Sequence, residues 1–382
     1  MNGRARGRQD GSEIRLTVYS EGTSVGGAEI VLGHLLSELD PRIVVSVLGV
    51  RTAVVEAVAA RRPGAQTMIV PDAENKANLP AIGAHVRAVR ALRPDILHVN
   101  LHSPWEGQYG ILAGLLNGCH VVAVEHSPFG SRSRLQRLLR RALCSRLAAH
   151  VAVGERAATR IEHLIGLAPG SIETIDNGVP DIPLTPIPRA ARGPVIGALA
   201  RFAPAKGLDL LVRAFASLPE EVHCVLVGDG PERASLESLA GELGVSDRMI
   251  VTGWVERPRD YLPGFDVVAM PSRFEAFGLV AIEAGLAQRP VVATAVDGIP
   301  DAVVDGTTGV LVPPEDPVAL AEAISALLRD PSKRTEMGRR ARARALDRFG
   351  VARMARSYEE LYRRLPSSGR RGDTKMTKAG RS

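Results

Sequence analysis

Three shortages narrow the field before any motif is read. Cysteine occurs only at Cys119, Cys144 and Cys224, with neither disulfide nor metal-ligand spacing. A disulfide scaffold and a zinc module are thereby excluded, and a reducing, cytoplasmic setting is expected. No apolar run approaches the roughly 20 residues that a membrane-spanning helix needs. Aromatics form 4% of the 382 residues and are not interleaved with basic ones, so the net charge of +6 does not read as a nucleic-acid surface. That charge comes almost wholly from arginine, because lysine is scarce. Met1 to Glu13 is basic and polar without an apolar segment, so no secretory signal is expected there. Dinucleotide and P-loop fingerprints are missing too. The first strand–helix turn, Gly22 to Glu29, lacks G-x-G-x-x-G spacing, and Gly228-Asp229-Gly230 gains no third glycine.

What is present is an alternation of apolar strand candidates with helical stretches, the pattern of parallel α/β layers. The length predicts two domains, since single cores rarely grow beyond roughly 250–300 residues. Strands are expected at Ile14–Tyr19, Ile43–Val50, Thr67–Val70, Ile96–Asn100, His120–Glu125 and His150–Val153 in the first half. A second series starts at Val195–Ala200 and runs to Val310–Val312. Between them lie Pro180, Pro183, Pro186, Pro188 and Pro194, too many for a helix or a central strand. The expected divisions are a disordered basic segment 1–13, an N-terminal Rossmann-like domain 14–178 and a linker 179–194. A C-terminal Rossmann-like domain 195–350, a helix 351–366 that returns to the first domain and a disordered tail 367–382 complete the chain. Ligands in such sheets bind at the carboxyl ends of the strands.

The most informative stretch is Ser272-Arg273-Phe274-Glu275-Ala276-Phe277-Gly278-Leu279-Val280-Ala281-Ile282-Glu283. It reads as the end of a strand, a short loop with Gly278, and a helix. Helix N-termini carry unpaired amides and partial positive charge, which favour a phosphate. Glu283 lies about one turn into the helix within an apolar run, where a charge is costly unless partnered. It could accept hydrogen bonds from ribose hydroxyls, and Glu275 could bind another polyol. Two glutamates eight apart are in themselves common on solvated helices. The whole string, however, resembles the E-x7-E signature of the family 4 retaining glycosyltransferases, which have the GT-B fold of two Rossmann-like domains with parallel sheets facing across a cleft. That resemblance implies that Glu275 contacts a donor sugar, Glu283 the ribose, and the amides at Phe277, Gly278 and Leu279 the diphosphate.

Other residues extend the resemblance over Ile14 to about Leu365. Arg201 and Lys206 flank a Pro-kinked loop after the first strand of the second half, where a forked guanidinium and a compact ammonium suit one polyanion. They match the family's R-x4-K loop. Gly26 and Gly27 open the first helix on a turn whose amides can approach a phosphate, and by resemblance they border the donor diphosphate and the acceptor pocket. His126, at the end of its strand, is by resemblance a substrate-positioning residue beside the transferred sugar; His98 and His102 lie around an earlier strand end. Val255, after Thr252-Gly253-Trp254, is by resemblance a backbone contact to the nucleobase.

The resemblance implies a retaining, metal-independent hexosyltransferase acting from a nucleoside-diphosphate sugar to a hydroxyl acceptor. No Asp-x-Asp occurs to hold a bridging metal, and no cofactor is expected. A nucleotide-sugar epimerase or hydrolase of the same fold, and a nucleotide-binding scaffold without turnover, are the alternatives. One segment stands apart. Arg134–Leu143 is a basic amphipathic helix candidate with apolar Leu135, Leu138, Leu139, Ala142 and Leu143. Weak peripheral membrane contact through it is one reading. Burial of the narrow stripe against the core, with the arginines in solvent, is the expected one.

Overall fold

The computed structural model describes residues 13–72, 78–102, 106–127, 134–189 and 191–366. The two segments expected to be disordered fall almost entirely outside these residues. The first sheet is built from β1 (Ile14–Ser20), β2 (Ile43–Gly49), β3 (Gln66–Ile69), β4 (Ile96–Leu101), β5 (His120–Glu125), β6 (Ala149–Ala152) and β7 (Glu173–Thr174). All its pairings are parallel, in the order β3-β2-β1-β4-β5-β6-β7. Its helices are α1 (Gly27–Glu38), α2 (Thr52–Ala59), α3 (Leu79–Leu92), α4 (Gln108–Leu116), α5 (Arg134–Cys144) and α6 (Glu155–Ile165).

The second sheet contains β8 (Val195–Leu199), β9 (His223–Val227), β10 (Met249–Val251), β11 (Val267–Met270), β12 (Val291–Thr294) and β13 (Gly309–Val312). It too is parallel, in the order β10-β9-β8-β11-β12-β13. Helices α7 (Leu208–Ala216), α8 (Arg233–Glu242), α9 (Leu279–Leu286), α10 (Ile299–Ala302), α11 (Pro317–Arg329) and α12 (Pro331–Arg348) accompany it, and α13 (Val351–Arg364) follows.

Strands covered by helices on both faces need near-continuous apolar sequence, and β8, β11 and β12 are buried at every position. β4 is fully buried as well, yet it carries His98 and Asn100. Both side chains therefore need partners inside the protein.

Each sheet reverses its strand order once, between β1 and β4 and between β8 and β11. The loops leaving these strands' carboxyl ends border a crevice that neither strand's own connection covers. The two crevices face each other: a methyl placed on Gly27, after β1, would lie 3.3 Å from Leu279 Cδ1, after β11. The halves are also tied together. Gly154 is the N-cap of α6, and Asp301 of α10 accepts the Arg156 amide at 3.0 Å, so a carboxylate of one domain satisfies a helix N-terminus of the other. Arg160 pairs with Asp297, and Arg348 with Asp176 at 2.6 Å. Helix α13 lies against α1 and sends Tyr362 to His98 and Arg363 to Asp40. No helix among the described residues is long and apolar enough to cross a membrane.

Candidate functional site

On the second sheet the two switch-point loops are bonded to each other. Ala205 O accepts the amides of Arg273 and Phe274 at 2.9 and 3.1 Å. Gly207 ends the first loop at φ +59°, and a β-carbon there would lie 2.1 Å from Pro271 O, so only glycine lets the loops approach this closely. The contact brings Lys206 to Glu275, with Nζ donating to Oε2 at 2.6 Å. The two sequence-predicted residues are thus partners, although 69 positions separate them. Arg201 follows β8 on the same edge with its side chain exposed. Arg273, between the two expected charges, is instead structural: its fork grips Asp209 at 2.6 and 2.8 Å and its Nε reaches Glu315.

Gly278 caps α9 in the left-handed region at φ +90°. Space is not the reason, since an added Cβ would meet only ordinary contacts from 3.7 Å outward. The backbone conformation itself requires glycine. Phe277 is buried and packs edge-on against Phe349, with ring centroids 5.7 Å apart, which anchors the loop while α9 presents its N-terminus to the crevice. Glu283 sits among Ala281, Ile282, Ala284 and Gly285, with its side chain 22% exposed. Burial pushes its carboxyl up to about 7, against the lowering influence of Arg259, whose Nε stands 4.0 Å away. Val255 is partly buried against the core, whereas Trp254 beside it is 77% exposed.

On the first sheet a buried polar chain runs beneath the crevice. Tyr362 Oη donates to His98 Nδ1 at 2.7 Å, and His98 Nε2 donates to Asn100 Oδ1 at 3.2 Å. His126 Nε2 donates to the same oxygen at 3.2 Å. With Asn100 Oδ1 as the shared acceptor, both rings carry hydrogen on Nε2. Burial, reinforced by His102 and His98, drives the His126 pKa down to about 3. His126 is therefore neutral, with Nδ1 left as an acceptor. His102 stacks over it at 6.1 Å and meets Glu29 Oε1 at 2.7 Å. Burial favours the neutral form of His102, but Glu29 outweighs this and its pKa rises above the ordinary value. Glu29 Oε2 in turn accepts the Gly26 amide at 3.0 Å. The chain thus links α13 to the glycine turn at the mouth of the crevice.

Two family models match. Residues 25–181 fit "Glycosyltransferase Family 4" and residues 186–344 fit "Glycosyl transferases group 1". The 2-deoxystreptamine glucosyltransferase of Streptomyces kanamyceticus is 32% identical over 298 residues, covering 70% of this chain and 76% of that protein. The chain belongs to the family 4 glycosyltransferases. Within the family, a D-inositol 3-phosphate glycosyltransferase of Xylanimonas cellulosilytica is 44% identical over 172 residues, 42% of this chain. The chain spans only 41% of that relative's length and 46% of an α-D-kanosaminyltransferase from Streptomyces kanamyceticus. Among solved structures, Anabaena HepE in complex with UDP-glucose matches with a TM-score of 0.80, covering 92% of this chain and all of that one at 22% identity. The likeness shows a shared GT-B fold.

The glycosyltransferase crevice contains groups that the sequence reading did not single out. Asn100 holds His126, Glu29 holds His102 and Tyr362 holds His98, and Asp301 holds the domains together beside Phe277. Asn100 and His98 alternate within an apolar strand, a signal present in the sequence. Tyr362 sits 264 residues from its partner and left none. Among the described residues no group of three or more His, Cys, Asp or Glu could hold a metal ion.

Proposed function

We propose that the chain transfers a sugar, with retention, from a nucleoside-diphosphate sugar to a hydroxyl acceptor, without a metal or cofactor. The observation that carries this reading is the meeting of Lys206, Glu275 and the α9 N-terminus at one switch point, opposite Gly27 of the other domain. The donor lies on the second sheet. Its diphosphate faces Arg201, Lys206 and the amides at Phe277, Gly278 and Leu279, with Gly26 and Gly27 on the far side. Glu275 binds the sugar, Glu283 the ribose hydroxyls, and the backbone at Val255 the base. The acceptor enters from the first sheet, where His126 Nδ1 accepts a hydrogen bond from a sugar hydroxyl.

In the reaction, the bond from the anomeric carbon to the diphosphate oxygen breaks, and its electron pair goes to the departing phosphate. The acceptor oxygen bonds to the same face of that carbon and gives its proton to the same phosphate. Negative charge grows beside Arg201, Lys206 and the α9 amides, which stabilise it as the bond breaks. His126 is neutral and hydrogen-bonded through Nε2, so it orients substrate rather than donating a proton.

HepE binds UDP-glucose, which makes this the first donor to test. Nucleotide release should require an added hydroxyl acceptor, and the product should keep the donor's anomeric configuration by NMR. Free sugar released without acceptor would favour the hydrolase alternative. Tight nucleotide binding with no turnover on any donor would favour a scaffold.

A further inference from the structure

Helix α5 is turned the opposite way from what its apolar stripe implies. Arg140 is buried at 4% exposure, with Nη2 donating to the fully buried Glu125 at the end of β5, and His150 Nε2 joins the same carboxylate at 2.9 Å. A buried arginine paired this way fixes the azimuth of the whole helix. At 100° per residue, Gln136, Leu143 and Cys144 turn inward with Arg140, while Leu138, Leu139 and Ala142 turn outward. Leu138 is accordingly 64% exposed and Leu139 52% exposed, and Arg137 and Arg141 lie in solvent on the Leu138 side of this face.

We infer that this face of α5 docks on an anionic lipid surface. Leu138 and Leu139 enter the interfacial layer while Arg137 and Arg141 meet headgroup phosphates. The charge is one-sided: no Asp or Glu occurs between Glu125 and Glu155, while five arginines do besides the buried Arg140. That distribution complements an anionic bilayer. It opposes a second copy of this chain, because a two-fold contact would set arginine against arginine. The Glu125–Arg140 pair also ties the docking helix to the residue adjoining His126, so membrane contact is one ion pair from the first-sheet crevice. Two leucines are a small anchor, so attachment is reversible and depends on salt. The inference stands whether or not the transfer reaction above is correct.

The test is co-sedimentation of the full chain with vesicles of phosphatidylcholine alone and of an equal mixture with phosphatidylglycerol. Binding is expected to the mixture only, and to weaken by at least about tenfold when salt shortens the Debye length from ~10 to ~3 Å. Leu138→Glu with Leu139→Glu should reduce binding at least about tenfold while the melting temperature stays unchanged, since both side chains are exposed. Arg137→Glu with Arg141→Glu should do the same. Equal pelleting with both vesicle types, or undiminished binding of either double variant, overturns the inference. So does a dimer in light scattering that the leucine variant dissolves, because the face would then belong to a second copy.

Discussion

Replacing Glu283 by glutamine should stabilise the unliganded protein while abolishing its response to nucleotide. The carboxylate lies in an apolar helix, and burial pushes its pKa from 4.5 to about 7. The native state therefore holds the proton more tightly than the unfolded chain does. The stability that this proton contributes is complete below about pH 4.5 and is lost as pH rises through 7. A shift of this size corresponds to about 3 kcal/mol, and the 22% exposure of the side chain argues for about 2. Glu283→Gln keeps the shape and never carries the charge. At pH 8 it should therefore exceed the wild type by about 2 kcal/mol, which is about 4–8 °C for a domain of this size. At pH 5 the two should nearly coincide. Thermal melts followed by circular dichroism at both pH values decide the matter. A variant less stable than wild type at pH 8, or a difference that does not change with pH, refutes the reasoning. A stabilised variant that still binds nucleotide normally would refute the ribose assignment alone.

Lys206→Ala should weaken nucleotide binding at least about tenfold by calorimetry, as expected from losing a charged hydrogen bond of about 1.5–3 kcal/mol; an unchanged Kd removes Lys206 from the donor site. Gly278→Ala should lower stability by about 1–2 kcal/mol in urea unfolding because its φ is +90°, and a neutral result would mean that the loop relaxes easily. Asn100→Ala should deprive His98 and His126 of their shared acceptor at about 1–3 kcal/mol. The Nε2–H resonance of His126 should then move in nitrogen-edited NMR; a resonance that stays put would refute the tautomer assignment. Asp301→Ala should uncap α6 across the domain boundary and raise the radius of gyration in small-angle scattering. An unchanged value would show that Arg160, Arg348 and α13 suffice to hold the domains together.

The sheets were legible in the sequence because parallel strands buried on both faces need continuous apolar runs, and β8, β9, β11 and β12 are such runs. β7 escaped notice, since two exposed polar residues at a sheet edge carry no pattern. The E-x7-E loop was legible through Gly278 and the charge placed in an apolar helix. Its pairing with Lys206 was not, because the contact depends on β8 and β11 being neighbours in space. The misreading of α5 has the same origin. Helical periodicity alone turns the leucines inward, but Glu125 at the end of β5 needs a cation more than the core needs Leu138 and Leu139. One buried carboxylate from another element therefore outweighs a stripe of apolar residues. His98 and Asn100 show a complementary case: polar side chains inside an apolar strand announced a network, while its far end at Tyr362 came only from the return of α13.

The central claim is that the second switch point holds a nucleoside diphosphate. A thermal-shift titration with UDP, GDP, ADP and dTDP on wild type and Lys206→Ala tests it most directly. One nucleotide at 100 times its Kd should add about 2.7 kcal/mol of stability to the wild type and clearly less to the variant. No shift with any of the four at millimolar concentration, or equal shifts in both proteins, would contradict the account.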